Sequence, residues 1–190
     1  MALTYSTMLE LGAQAPDFAL PSVTDGSVVR RDDVFREGGA LVMFICAHCP
    51  FVIHVQQELA RLGRDYADKP VGIVAISAND ASNRPQDAPE NLARQARDQG
   101  FGFPYLFDEP QDTAKAYHAA CTPDLFLFDG EKKLVYRGQL DESRPSNDKP
   151  VTGADLRAAL DALLAGQPIP QDQKPSAGCN IKWKAGNEPE

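Results

Sequence analysis

The sequence predicts an α/β fold with a central mixed β-sheet flanked by helices, on three observations. Two apolar runs of strand length, Ala40–Ile45 and Val71–Ser77, are each followed by a helical pattern, as parallel strands joined through helices require. Two later runs, Leu125–Phe128 and Leu134–Gly138, flank Asp129-Gly130, a hairpin signal that adds antiparallel pairing. The 190 residues are 43% hydrophobic and 24% charged, enough apolar material for a sizeable core.

Each element follows from its own residues. Asp25-Gly26, between Phe18/Leu20 and Val28/Val29, predicts an N-terminal β-hairpin. Ala40–Ile45 contains no polar residue, as befits a strand covered on both faces. After Cys46-Ala-His-Cys49-Pro50, the stripe Val52, Val55, Leu59 and Leu62 marks a helix. Pro50 suits its first turn, where a missing N–H costs nothing. Val71–Ser77 is a second buried strand, and residues 81–88, rich in Asn, Asp, Ser and Pro, read as an exposed loop. A helix over Pro89–Gln99 ends at Gly100, a C-cap residue. Tyr105–Phe107 reads as a short strand and Thr113–Ala120 as a short helix. Leu156, Leu160 and Leu163/Leu164 stripe a helix over Gly153–Leu164. The organisation is then a domain over residues 1–165 and an extended C-terminal tail over 166–190. Ile181 and Trp183, the only bulky apolar residues after Ile169, should dock the stretch around Gly178–Lys184 on that domain.

Charge narrows the function. The net charge is −8, the isoelectric point about 4.9 and the mean hydropathy −0.36, with no basic cluster. Nucleic acid and anionic membrane surfaces are therefore not expected partners. The longest apolar stretch, Gly39–Cys46, falls far short of the roughly 20 residues that cross a bilayer. Residues 1–20 lack the basic start and long apolar core of a signal peptide, so the expected location is cytoplasmic.

The four cysteines stand at 46, 49, 121 and 179. In a reducing compartment a C-x-x-C pair is redox-active or metal-binding more often than structural. A dithiol works by thiolate attack, mixed disulfide and attack by the second thiol, so one sulfur must be accessible and acidic. A strand end followed by a helix start supplies the positive dipole end for that thiolate. Cys46 is expected as the exposed attacking sulfur, Cys49 as the resolving one in the first turn, and His48 as a further donor. Half a zinc site is the alternative, completed by Cys121, Cys179, His48 or His54, giving a zinc-stabilised interaction module. Zinc sites usually bring a second close pair, whereas Cys121 and Cys179 are singletons. His54 and His118 read as structural.

Cys46-Ala-His-Cys49 between strand and helix, with Thr122-Pro123 before Leu125-Phe-Leu-Phe128, resembles the thioredoxin superfamily. Ala15-Pro-Asp-Phe18, Phe103-Pro-Tyr-Leu-Phe-Asp108 and the tail block Pro175–Lys184 narrow the likeness to the peroxiredoxin-like branch of the alkyl hydroperoxide reductase/thiol-specific antioxidant family. It covers residues 11–164 and, with the tail block, implies a thioredoxin-like fold. By that resemblance Pro123 is a cis-proline opposite the dithiol, and Thr122 beside it pairs with the incoming disulfide.

The resemblance implies a thiol–disulfide oxidoreductase without metal or organic cofactor. Its partners would be a protein or small-molecule disulfide and a thiol electron donor. A thiol-dependent peroxidase using Cys49 or Cys46 is the alternative. Against it, Val42 and Cys46 occupy the proline and Thr/Ser positions of the peroxiredoxin signature, and no arginine stands near Pro123 where the family's would fall. The buried carboxylate of thioredoxin would fall near Ala40, so no general base is identified. Cys121 and Cys179 remain as auxiliary thiols, either redox-active or buried.

Overall fold

The computed structural model describes residues 3–189. In chain order the first elements are β1 (Leu3–Tyr5), β2 (Ala19–Pro21), β3 (Val28–Arg30), α1 (Arg31–Val34), β4 (Ala40–Phe44) and α2 (Pro50–Asp65). There follow β5 (Gly72–Ser77), a 3-10 turn at Pro85–Asp87, α3 (Pro89–Gln99), β6 (Tyr105–Phe107), α4 (Asp112–Ala116) and β7 (Cys121–Thr122). The last are β8 (Asp124–Phe128), β9 (Leu134–Arg137), α5 (Ala154–Leu164) and β10 (Ala177–Asn180).

The central sheet has the order β6-β5-β4-β8-β9. β4 runs parallel to β5, and β5 to β6, whereas β8 is antiparallel to both β4 and β9. β2 and β3 form the expected hairpin. Side chains of β4 alternate between two cores, because successive strand residues point to opposite faces. Leu41 and Met43 pack with Val52, Val55, Leu59 and Leu62 of α2, Leu92 of α3 and Leu156 and Leu160 of α5. Val42 and Phe44 pack on the other face with Phe126, Phe128, Tyr117 and the N-terminal Phe18. Helix α3 ends where the sequence indicates, with Gly100 in the left-handed region at φ +69°. The helix expected over Thr113–Ala120 is shorter, since it stops at Ala116 and His118 takes a positive φ of 51°.

A third sheet lies beyond the central one, in the order β1-β10-β7. The tail thus supplies its middle strand, antiparallel to both neighbours, with Cys179 opposite Thr122 on one side and Leu3 on the other. Ile181 is buried and Trp183 half-buried against the aromatic face of the sheet. Gly178 is what permits so close an approach: a Cβ there would lie 2.0 Å from the Thr122 carbonyl oxygen and 2.6 Å from its carbon. Backbone atoms cannot yield as a flexible side-chain tip can. Gly178→Ala should therefore cost about 1–3 kcal/mol, the usual penalty for overpacking. Urea unfolding checks it: an unchanged midpoint would mean that β10 does not sit this tightly.

Residues 81–88 are mostly exposed, as their composition implies, with one correction. Asp87 is 0% exposed, because its carboxylate is folded back onto the segment after β4.

Candidate active site

Cys46 leaves β4 two residues after Phe44, and Cys49 is the N-cap of α2, with Pro50 at the first helical position. The strand-to-helix junction thus carries both sulfurs. Neither is exposed: Cys46 and Cys49 are both 0% accessible, which corrects the expectation of an exposed Cys46. Cys46 Sγ lies 3.5 Å from Thr122 Oγ1 and 3.9 Å from His48 Nδ1. Cys49 Sγ lies 3.2 Å from the Thr122 carbonyl oxygen. The Thr122–Pro123 peptide bond is cis. The backbone of Thr122, expected to receive an incoming disulfide, is paired here with Cys179 of β10.

Asp87 organises the loop between the two cysteines. One of its oxygens accepts the Ala47 and His48 N–H groups at 2.8 and 3.1 Å. The other accepts from Asn79 Nδ2 at 2.8 Å and pairs with His48 Nδ1. His48 is therefore held by Asp87 rather than aimed at Cys46 alone. Burial raises the Asp87 carboxyl, but the hydrogen bonds from His48 and Asn79 outweigh it and keep it below the usual carboxylate value. Asn79 in turn accepts the Lys182 N–H of the tail at 2.8 Å. The sequence reading missed both residues. Asn79 stands two positions past the carboxyl end of β5, where ligand-handling residues of α/β sheets collect. Asp87 carries no such signal.

The remaining expected residues separate clearly. Cys179 Sγ lies 2.8 Å from Cys49 Sγ, so the tail brings a third thiol to the pair. Cys121 is buried and turned to the Pro123 carbonyl at 3.5 Å, and burial pushes its thiol well up. His54 bonds Ser143 Oγ at 2.7 Å, away from the sulfurs. Cys46 Sγ, His48 Nδ1 and an Asp87 oxygen lie within 4.8 Å of one another, ligand types that suit a metal, although Asp87 already engages the His48 nitrogen. Among the described residues, no helix is long and apolar enough to cross a membrane.

Residues 11–137 match the AhpC/TSA family along two thirds of the sequence. The chain belongs to the AhpC/TSA family. This AhpC/TSA-family protein is 59% identical to an uncharacterized conserved protein from Geobacillus kaustophilus, over 97% of each chain and with a TM-score of 0.95. It is 48% identical to the hypothetical protein SMc02350 from Sinorhizobium meliloti 1021, over 96% of this chain and 100% of that one, at a TM-score of 0.94. A putative thiol:disulfide interchange protein DsbE from Chlorobium tepidum shares the thioredoxin-like fold at 21% identity, over 82% of this chain and 99% of that one, with a TM-score of 0.64. No curated protein sequence matches the chain.

The electrostatics of the AhpC/TSA-family site distinguish the two sulfurs. The hydrogen bond from Cys46 is the largest influence on Cys49, and Cys179, Thr122 and the Val52 N–H act with it. Together they outweigh burial and lower Cys49 to about 5. The same hydrogen bond raises Cys46, as do its burial and then the Asp87 charge. The pair at rest is a Cys49 thiolate hydrogen-bonded by a Cys46 thiol, the reverse of the acidity expected from chain order. Cys49 is also the N-cap sulfur, and a helix N-terminus favours negative charge.

Proposed function

We propose that the protein is a thiol–disulfide oxidoreductase whose Cys46-x-x-Cys49 pair cycles between dithiol and disulfide. The observation that carries this reading is the acidic Cys49 at the α2 N-cap, beside a second thiol and across from Thr122–Pro123. The Cys49 thiolate attacks one sulfur of a substrate disulfide, whose S–S bond breaks to release a thiolate and leave a mixed disulfide. Cys46, once deprotonated, attacks Cys49 Sγ, releases the second substrate thiolate and closes the Cys46–Cys49 disulfide. Two electrons have then passed to the substrate, and a thiol donor returns them. Substrate approaches along the shallow groove beside Pro123, lined by Phe51, His54, Arg144, Ser176 and Ala177. The substrate is a disulfide of a protein or of a small molecule.

A peroxidase reading draws on the same acidic Cys49 but lacks the groups that polarise a hydroperoxide, since Val42, Cys46 and Pro123 occupy their places. Stopped-flow oxidation of the reduced protein separates the two. Hydroxyethyl disulfide should oxidise it much faster, relative to a model thiol, than hydrogen peroxide does. Peroxide should react only at the pace of an ordinary low-pKa thiolate. A peroxide rate constant several orders of magnitude higher would reverse the ranking.

A further inference from the structure

We propose that Cys179 is a third redox thiol, which competes with Cys46 for Cys49 and closes an alternative Cys49–Cys179 disulfide. The inference deepens the dithiol reading and rests on it. Cys49 Sγ and Cys179 Sγ are 2.8 Å apart, inside ordinary sulfur–sulfur contact and already on the way to a bond of about 2.0 Å. Both are buried, Cys179 at 2% exposure.

The placement is built into the backbone rather than into a side-chain rotamer. Cys179 is fixed opposite Thr122 by strand pairing, and Gly178 before it is the residue that lets β10 lie against the Thr122–Pro123 backbone. Beyond it, the tail is tied at both backbone and side chain. Ile181 N–H donates to the Ala120 carbonyl at 3.1 Å, and Asp80 N–H to the Lys182 carbonyl at 2.8 Å. Gln111 Nε2 donates to the same Lys182 carbonyl at 3.0 Å, and Lys184 N–H to Gln111 Oε1 at 2.9 Å. A segment held at so many points keeps its thiol beside Cys49 in the resting protein.

The exchange balances without any outside reagent. Starting from the Cys46–Cys49 disulfide, the Cys179 thiolate attacks Cys49 Sγ. The Cys46–Cys49 bond breaks, the Cys49–Cys179 bond forms, and Cys46 leaves as a thiolate that takes up the proton Cys179 lost. No electrons enter or leave. In the reduced protein, burial and the neighbouring Cys49 thiolate hold Cys179 up to about 12. Oxidation of Cys49 removes the second of these causes, so Cys179 loses its proton more readily when a disulfide is there to attack. The outcome is an oxidised protein with a reactive Cys46 and a tail covalently fastened over the site.

The test uses Cys46→Ser protein oxidised with hydroxyethyl disulfide, quenched in acid, alkylated and mapped as peptides without reduction. The expected product joins the Cys49 peptide to the Cys179 peptide. A stable mixed disulfide of Cys49 with the probe, with Cys179 alkylated, would overturn the proposal. Unreacted thiols at both positions, under conditions that fully oxidise wild-type protein, count equally against it. Should the variant fail to fold, the same mapping on wild-type protein decides: some chains should carry alkylated Cys46 beside a Cys49–Cys179 bridge. Only Cys46–Cys49 bridges would refute it. Insulin reduction by the wild-type protein, with dithiothreitol as donor, keeps the two readings apart. Turnover without a Cys49–Cys179 bridge removes the third thiol and leaves the oxidoreductase, whereas a bridge without turnover does the opposite.

Discussion

Cutting the chain after Pro170 is expected to lower the melting temperature by at least about 7 °C. The cut removes the middle strand of the β1-β10-β7 sheet, leaving the facing edges of both neighbours unpaired. It also removes Ile181, whose burial contributes about 1.5–3 kcal/mol. Asn79 and Gln111, both buried, lose tail partners at Lys182 and Lys184, at about 1–3 kcal/mol for each group left unsatisfied. The lower ends of these ranges already sum to about 3.5 kcal/mol, and a chain of this size loses roughly 2–4 °C per kcal/mol. Calorimetry on the truncated protein checks the figure. The same protein should react with a bulky maleimide at Cys49 far faster than the full chain, because β10 no longer covers that sulfur. A truncated protein that melts with the wild type would show that the tail contributes no net stability.

Asp87→Ala is the second large effect, and it acts on both stability and reactivity. The substitution strips one acceptor from the Ala47 and His48 N–H groups, from Asn79 Nδ2 and from the His48 ring, all in a site closed to water. Breaking a buried charged network of this kind costs about 3–5 kcal/mol. The pH dependence has a definite sign. The folded Asp87 carboxyl lies below its unfolded value, so its contribution is complete above the ordinary carboxylate pKa. That contribution is lost as the pH falls through the lowered value. The difference between wild type and variant should accordingly be constant through neutral pH and shrink only in acid. Reactivity moves the other way. The Cys49 hydrogen bond and burial still hold the Cys46 thiol up, but the repulsion from Asp87 is gone. Asp87→Asn, which keeps the shape and removes the charge, should therefore shift Cys46 alkylation to lower pH. An unshifted alkylation profile would mean that the charge does not reach the sulfur.

Much of the fold could be read from local chemistry. The stripe Val52, Val55, Leu59 and Leu62 places α2 on the sheet, Gly100 stops α3 and Asp129-Gly130 turns β8 into β9, each through forces acting within a few residues. The spacing of Cys46 and Cys49 likewise marks the junction where the chemistry sits. What escaped the sequence depends on partners remote in the chain. β1 is three residues long with Leu3 and Tyr5 exposed, so nothing in it signals a strand until β10 lies alongside. Asp87 stands in a loop whose composition favours water, and only Asn79 and the 46–49 turn draw it inward. The environment of the two thiols is likewise set by remote partners. A position just before the helix suggests an exposed Cys46, whereas Thr122 and His48 close on it and Cys49 takes the helix cap.

The β1-β10-β7 arrangement also fixes the sequence of events by which the protein matures. During synthesis β4 can pair with β5 and β8 as soon as residues up to about 128 have emerged, while α2 still awaits Leu156 and Leu160 of α5. β1 and β7 must wait for residues 177–180 before either has a partner, and the wait ends in a pairing of very long sequence separation. The nascent chain therefore passes through a stage with Cys46 and Cys49 in place and Cys179 still unmade or undocked. In that interval the dithiol is open to whatever thiols and disulfides surround the ribosome. A newly made molecule is thus chemically a different reagent from a finished one, and strand insertion is the event that converts it.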